Sequence, residues 1–375
     1  EKTKKPQITE AHLTTTRGDL GSSNSKAAEF IDTILLFKTR VKQHRTYVKG
    51  VQGAIEYNEE DRIYSSYNFT QVVTGRLSCS MPSVGGGKKK GVSFHTLPRP
   101  NEKDYVNIRK LMKADGDKAF ITADFSTAEL RVLAQCSRDE NLIEAFCSGK
   151  DLHKFTASLI YDKPISQITK EERQIAKSVS FLIVYGGGPY KLSKQVGKPL
   201  GYCKNIFAEY RRSFPKVFKW IEFVHKFIRE NGYAVSLFGR RRHLPNVNSP
   251  SKDIQHRALR QGMNFVIQSS SSDLLLHSIR RLMNYKNAGF DFELLATVHD
   301  SIELQCPVSE IQKVSELVKL ALPFTKDFKG MYNLDFVVPF EVDIEVGKTF
   351  GDGMEAEFSE EGRLLNSAAL QKQFA

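Results

Sequence analysis

Two short apolar runs that each lead to an aspartate, Phe120 to Asp124 and Leu294 to Asp300, flank a long stretch of helical periodicity, and no other feature constrains the fold as much. Runs of this length suit buried strands, each delivering its acid at or just past the strand end. Between them helical spacing holds from Ala128 to about Asn231, broken at Lys163-Pro164, Gly186 to Pro189 and Lys198 to Gly201. Ser301 to Cys306 resumes a strand-like pattern. This order predicts an α+β fold in which Asp124 and Asp300 meet on neighbouring strands of one sheet. Either acid alone is an ordinary strand-end or turn residue. As a pair they suit two divalent cations, because carboxylates hold hard cations and two such ions clamp both oxygens of an in-line displacement.

Residues 173 to 187 read RQIAKSVSFLIVYGG, with Arg173, Lys177, Phe181 and Tyr185 four residues apart along one helix face. Arginine and lysine one turn apart offer charge-assisted bonds to phosphates, and the two rings can stack on a base and close over a sugar. Taken alone, the pattern is better explained by an amphipathic helix with core aromatics and solvated basic residues. The flanking acids turn the balance toward nucleotide binding.

A formal net charge of +12 makes a polyanionic partner plausible. With 375 residues the chain exceeds one ordinary core and predicts two or three lobes. No run approaches the roughly 18 apolar residues of a membrane span, and no signal peptide is recognisable, so an intracellular, soluble protein without a membrane partner is expected. Cys79, Cys136, Cys147, Cys203 and Cys306 lack CxxC spacing, which predicts reduced, mostly buried thiols. GGGPYK at 186 to 191 lacks the GK[ST] of a phosphate-cradling loop, which argues against a motor ATPase.

Residues 1 to 25 read as a mobile polar leader, and Ala27 to about Lys49 as an amphipathic helix through Phe30, Ile31, Ile34, Leu35 and Val41. Ile55 to Val73 suits an antiparallel hairpin turning at Asn58 to Asp61. GGGKKKG at 85 to 91 predicts a flexible basic loop, either solvated or brushing a phosphate backbone.

DFSTAELRVLA (124 to 134), RQIAKSVSFLIVYG (173 to 186) and TVHDSIEL (297 to 304) resemble the three signature motifs of family A DNA polymerases, the bacterial DNA polymerase I type. TGRLS (74 to 78), DLHKFTA (151 to 157), GRRRHLP (239 to 245) and RQGMNFVIQSSSSDLL (260 to 275) agree in order, and the resemblance covers about residues 30 to 350. It implies a right-hand polymerase with an antiparallel palm sheet, helical fingers and a reduced thumb. The implied limits are a leader at 1–25, thumb at 26–70, palm at 71–135 and 257–351 and fingers at 136–256; the extension at 352–375 lies beyond the resemblance, and its own apolar spacing predicts an amphipathic helix through Phe358, Leu364, Leu365 and Leu370.

Carried over by position, the resemblance makes Asp124, Asp300 and the backbone carbonyl of Phe125 ligands of two Mg2+ ions, with Mn2+ as a substitute. Lys177, Arg173 and His153 resemble residues that bind the incoming dNTP, Lys177 being counted among the catalytic groups, and Phe181 and Tyr185 resemble the base-and-sugar platform. Glu129 matches a steric gate against ribonucleotides. Arg76, Arg260, Asn264 and Gln268 match residues that probe the minor groove of primer-template DNA, and His299 matches the primer-end side of the third motif. Phe181 in place of tyrosine implies discrimination against dideoxynucleotides. Ser301 stands where a second acid is common, and Thr127, Ala128, Ser180 and Leu182 also depart from the usual residues, which points to a divergent branch of viral type. The small thumb implies weak processivity without an accessory protein or processivity factor, and no proofreading exonuclease is expected within the chain. In a bacterial or phage context the protein would work in the host cytoplasm or nucleoid. The rivals are a single-subunit RNA polymerase relative, against which Glu129 and Phe181 argue, and a non-catalytic basic nucleic-acid binder.

Overall fold

Lys118–Phe125 (β1) reads KAFITADF, and its alternate residues Ala119, Ile121, Ala123 and Phe125 are buried while Thr122 and Asp124 occupy the other face. The computed structural model describes residues 8–20, 25–58, 61–84, 88–89, 91–98, 107–322 and 325–374. In it β1 is the central strand of a five-stranded antiparallel sheet with Glu293–Val298 (β2), Ser301–Pro307 (β3), Val342–Gly347 (β4) and Met354–Glu355 (β5), in the order β5-β4-β1-β3-β2. Ile302, Leu304 and Cys306 of β3 and Val342, Ile344 and Val346 of β4 extend the apolar face, which Ile311–Ala321 covers together with Leu275 and Leu282. Each such fully buried side chain contributes roughly 1.5–3 kcal/mol. The expected α+β class and antiparallel sheet are therefore present.

The helical stretch forms a second core. Ala128–Ser137 (α1), Leu152–Tyr161 (α2) and Lys170–Val184 (α3) pack with further helices at Pro189–Val196, Leu200–Ser213 and Pro215–Asn231, and the helix breaks fall where proline and glycine predict them. The 36-residue helix Lys252–Asn287 (α4) belongs to both cores, Met263, Phe265 and Ile267 to the helical one and Leu275 and Leu282 to the sheet. Midway, Ser269 to Ser272 are buried. Their small side chains let neighbouring backbone approach, so that Ser270 Oγ accepts from the Leu237 N–H at 2.9 Å and Ser272 Oγ donates to the Gly75 carbonyl at 2.8 Å.

The chain falls into two compact units, Glu1–Tyr67 with Cys79–Met112, and Asn68–Ser78 with Lys113–Ala375. The first differs from the expected thumb at 26–70 because residues from 79 to 112 join it: Tyr47 donates to the Thr96 carbonyl, and Gly50 packs so closely on Val92 that an added Cβ would lie 2.9 Å from Val92 Cγ1. Within it the expected helix runs Lys26–Lys42, continues as a π-helix over Gln43–Val48 and resumes over Lys49–Asn58. This corrects the start of the predicted hairpin at 55 to 73: residues 55–58 are the last turn of that helix, whose Ala54 is buried, and Ser66–Asn68 alone of the described part is a strand; residues 59 and 60 of its turn lie outside the described residues. The leader is also corrected over Glu10–Asp19, a helix started by a Thr9–His12 capping box and tied to the next helix by Arg17–Asp32 at 2.9 Å, while residues 1–7 and 21–24 are outside the description. Of the basic loop, Lys88–Lys89 pairs antiparallel with Ser83–Val84, and 85–87 and 90 are not described.

The C-terminal extension is helical only at Ser367–Lys372. Met354–Glu355 instead adds a strand, Phe358 bridges Leu364, and Leu364 and Leu370 pack into the sheet core whereas Leu365 is exposed. Backbone pairing to the sheet edge competes successfully with helical periodicity here. Only Cys203 and Cys306 are buried; Cys147 is exposed and the other two are intermediate, so the thiols are free but not mostly buried. Among the described residues no helix is long and apolar enough to cross a membrane.

At Gly262 of α4 an added Cβ would meet Ile228 Cδ1 at 2.5 Å and Leu244 Cδ1 at 2.6 Å, both in the buried helical core. Gly262→Ala is expected to destabilise the fold by about 1–3 kcal/mol through overpacking. Thermal melting checks this; an unchanged midpoint would mean that the two side chains have room to yield.

Candidate active site

The antiparallel register sets Asp124 of β1 directly opposite Ser301 of β3 and, on the other side, Asp343 of β4. Asp300 immediately precedes Ser301, in a two-residue turn from β2 to β3 whose other member, His299, has φ +60°. The Phe125 N–H donates to the Asp300 carbonyl at 3.3 Å, so the two acid-bearing segments are joined at the backbone. Thr127, two residues beyond Phe125, also has a left-handed φ of +51° at the start of α1. Non-glycine residues in this region store strain and persist only where surrounding structure holds them.

The first turn of α1 carries Glu129, which is only 5% exposed. Arg76 Nη2 donates to its Oε1 at 2.7 Å, and the Tyr185 hydroxyl donates to its Oε2 at 2.8 Å. Arg76 Nη2 also lies 3.6 Å from Asp300 Oδ1. Burial pushes the Glu129 carboxyl above its usual range against the pull of Arg76 and Tyr185, and burial, with the nearby Glu129 charge, raises the Tyr185 hydroxyl in turn. Ser272 holds Gly75, and with it the strip that carries Arg76, against α4.

A capping box between Thr169 and Glu172 starts α3 and sets the phase of its functional face. Arg173 pairs with Asp151 at 2.9 Å, and Asp151 caps α2 by accepting from the Lys154 N–H at 2.8 Å. This anchors His153 beside α3, its ring 6.2 Å from that of Phe181. His153 is buried, its Nδ1 has no partner among the described residues, and burial together with Lys177 and Arg173 lowers its pKa to about 4. Lys177 is half-buried and makes no ion pair among the described residues. At the end of α3, Gly186 has φ +63° and abuts Arg260 of α4, where an added Cβ would sit 2.8 Å from Arg260 Cγ. Asn264 and Gln268 follow Arg260 at one-turn intervals on α4, and the Asn264 Oδ1 is buried without a partner among the described residues.

Seven of the predicted residues thus fall into two contacting groups along α3: Arg76, Glu129, Tyr185 and Asp300 make one, and Arg173, His153 and Phe181, gathered by the unpredicted Asp151 and the ring contact, the other. Among the described residues no cluster of three or more His, Cys, Asp or Glu forms a ready metal cage.

Sequence reasoning missed Arg131, which is buried, donates to the Ser126 carbonyl at 2.9 Å, to the Pro339 carbonyl and to Glu341 Oε2 at 2.6 Å, and lies 4.6 Å from the Phe146 ring centre. A lone arginine inside the apolar run AELRVLA was the available signal. Glu303 and Asp343 were missed as well, although strict alternation in SIELQC and VDIEVG assigns each to the face of Asp124.

DNA polymerase family A matches residues 1–352. The chain belongs to this family. DNA polymerase I of Borreliella burgdorferi is 30% identical over 325 residues, covering 86% of this chain and 34% of that protein. The thermostable DNA polymerase I of Thermus caldophilus is 32% identical over 324 residues, covering 86% and 36%. The chain therefore spans about a third of the length of these curated relatives. The POL domain of Pol1 from M. smegmatis, solved in complex with DNA primer-template and dNTP, superposes with a TM-score of 0.78 at 27% identity, over 94% of this chain and 58% of that one. The family A match bears out the resemblance found in the motifs.

In this family A chain the depressed His153 pKa has a definite sign. The unfolded histidine takes up its proton near 6.5 and the folded one near 4, so stability present above pH 6.5 is lost as pH falls between those values, on the order of 3 kcal/mol. His153→Gln is expected to flatten this part of the stability curve. Urea melts from pH 7 to 4 provide the check, and parallel losses in both proteins would show that His153 is not the group responsible.

Proposed function

We propose that the chain catalyses template-directed addition of deoxynucleoside 5′-triphosphates to a primer 3′ end. The observation that carries this reading is the pairing of β1 with β3, which brings Asp124 beside the turn of Asp300 and bonds the Phe125 N–H to the Asp300 carbonyl. The carboxylates of Asp124 and Asp300 and the carbonyl of Phe125 are hard oxygen donors that fit divalent cations, and Arg76 already directs a positive charge to Asp300 Oδ1. Held by these donors, two magnesium ions, or manganese in their place, would supply charge stabilisation at the primer hydroxyl and at the departing pyrophosphate.

Arg173, Lys177 and His153 bind the triphosphate, with Phe181 and Tyr185 against the base and sugar. His153 stays neutral at pH 7, so it donates one hydrogen bond and adds no charge. Glu129, held through both oxygens, is a rigid gate at the sugar 2′ position. Arg76, Arg260, Asn264 and Gln268 contact the minor groove, and His299 contacts the primer end. The sheet acts as palm, the helices from 136 to 256 as fingers and the N-terminal unit as a small thumb, whose size favours help from an accessory protein. The unusual residues Thr127, Ala128, Ser180, Leu182 and Ser301 fit a divergent branch, viral in origin on the sequence pattern, although the curated relatives named above are bacterial.

Extension of a labelled primer-template with magnesium and either dNTPs or rNTPs tests the reading, with Asp300→Ala in parallel. Extension with dNTPs that disappears in the variant, while duplex binding persists, is expected. Extension with rNTPs alone would move the assignment to RNA synthesis, and tight duplex binding without extension would leave a non-catalytic binder.

Shortening the gate is expected to relax sugar selection. Glu129→Ala should raise ribonucleotide incorporation relative to dNTP by about 10- to 100-fold, and Tyr185→Phe, which removes one of the two bonds to Glu129, should do so to a smaller extent. Competitive incorporation from mixed rNTP and dNTP pools measures both, and unchanged selectivity in Glu129→Ala would remove the gate.

A further inference from the structure

Glu303 lies 1% exposed in the middle of β3, on the polar face of the sheet and one row behind Asp124. Its position opposite Thr122 and its spacing of two from Ser301 bring both hydroxyls to its carboxylate. Thr122 Oγ1 donates to Oε2 at 2.6 Å and Ser301 Oγ to Oε1 at 2.5 Å. Thr122 is two residues before Asp124, and Ser301 is one residue after Asp300. Ser301 Oγ also lies 3.0 Å from the Val298 carbonyl, across the turn that presents His299 and Asp300. A carboxylate in such a buried strand position is costly compared with an apolar residue of similar size, and packing alone does not require it.

We propose that Glu303 is a positioning residue that braces the Asp124 strand to the Asp300 turn through Thr122 and Ser301. Charge-assisted bonds in a desolvated setting are strong and directional, so the brace fixes the placement of the two aspartates through side chains, in addition to the 3.3 Å backbone bond from the Phe125 N–H to the Asp300 carbonyl. Glu303 itself touches no reacting atom. Its kinetic consequence rests on the polymerase reading; its structural consequence does not.

Glu303→Gln keeps the shape but removes the charge and places an N–H donor against one of the two hydroxyls, which must turn away from its present bond to accept it. In the protein without DNA, amide hydrogen exchange of peptides covering residues 120–126 and 298–303 is expected to quicken by about tenfold, with the helical core unchanged. In single-turnover extension the maximal rate is expected to fall by about tenfold or more with the dNTP half-saturation held within about twofold, because misplacement affects the chemical step more than nucleotide binding. Thr122→Val combined with Glu303→Gln is expected to be no slower than Glu303→Gln alone, since both remove one brace. Gly262→Ala serves as a destabilised control, expected to lower the melting temperature without the local exchange change or the rate split.

Exchange and rate equal to wild type in Glu303→Gln overturn the proposal, as does an effect that Gly262→Ala reproduces. Quickened local exchange together with a wild type that extends no primer upholds the brace and overturns the polymerase reading.

Discussion

The antiparallel register between Lys118–Phe125 and Ser301–Pro307 is the constraint on which the rest of the structure depends. Because strand side chains alternate with a period of two, a slip of one residue would turn Asp124 into the core and bring Ala123 or Phe125 to the functional face. The apolar rows of Ile121, Ala123, Ile302, Leu304, Val342 and Ile344 make that slip costly. Burial on one side of the sheet therefore specifies chemistry on the other.

Around this sheet, buried polar side chains rather than further apolar packing align the functional groups. Glu129 receives Arg76 from one segment and Tyr185 from the end of the long-faced helix, so one desolvated carboxylate ties the helical core to the acid-bearing strands. Arg131, in the same helix turn region, grips the Ser126 carbonyl and the chain entering the fourth strand. Such bonds gain strength from low local dielectric and carry a large penalty if left unpaired, which makes the arrangement all-or-none. The helix Lys252–Asn287 supplies the spine, and its run of buried serines is what permits close backbone approach near Gly75 and Leu237.

Much of the fold was legible in the sequence because period-two and period-3.6 patterns report local burial. The strands at Lys118–Phe125 and Ser301–Pro307, the helix at Lys170–Val184 with its one-turn spacing of Arg173, Lys177, Phe181 and Tyr185, and the breaks at Gly186 and Pro189 were all readable in this way. The failures lie where two local patterns compete. Residues 55–58 begin an alternating stretch that suggests a strand but end a helix, and the segment around Met354 and Phe358 looks helical but pairs with a sheet edge.

The sequence alone determined the class of fold, the identity of the two acids, the basic and aromatic helix face and the family to which the motifs belong. Each of these is encoded within a few neighbouring residues. Only tertiary structure decided that Arg76 and Tyr185 share Glu129, that Arg173 anchors Asp151 beside His153, and that Thr122 and Ser301 meet on Glu303. Those contacts join residues as far apart as 181 positions in the chain, and their geometry depends on strand register and helix packing, which no local periodicity encodes.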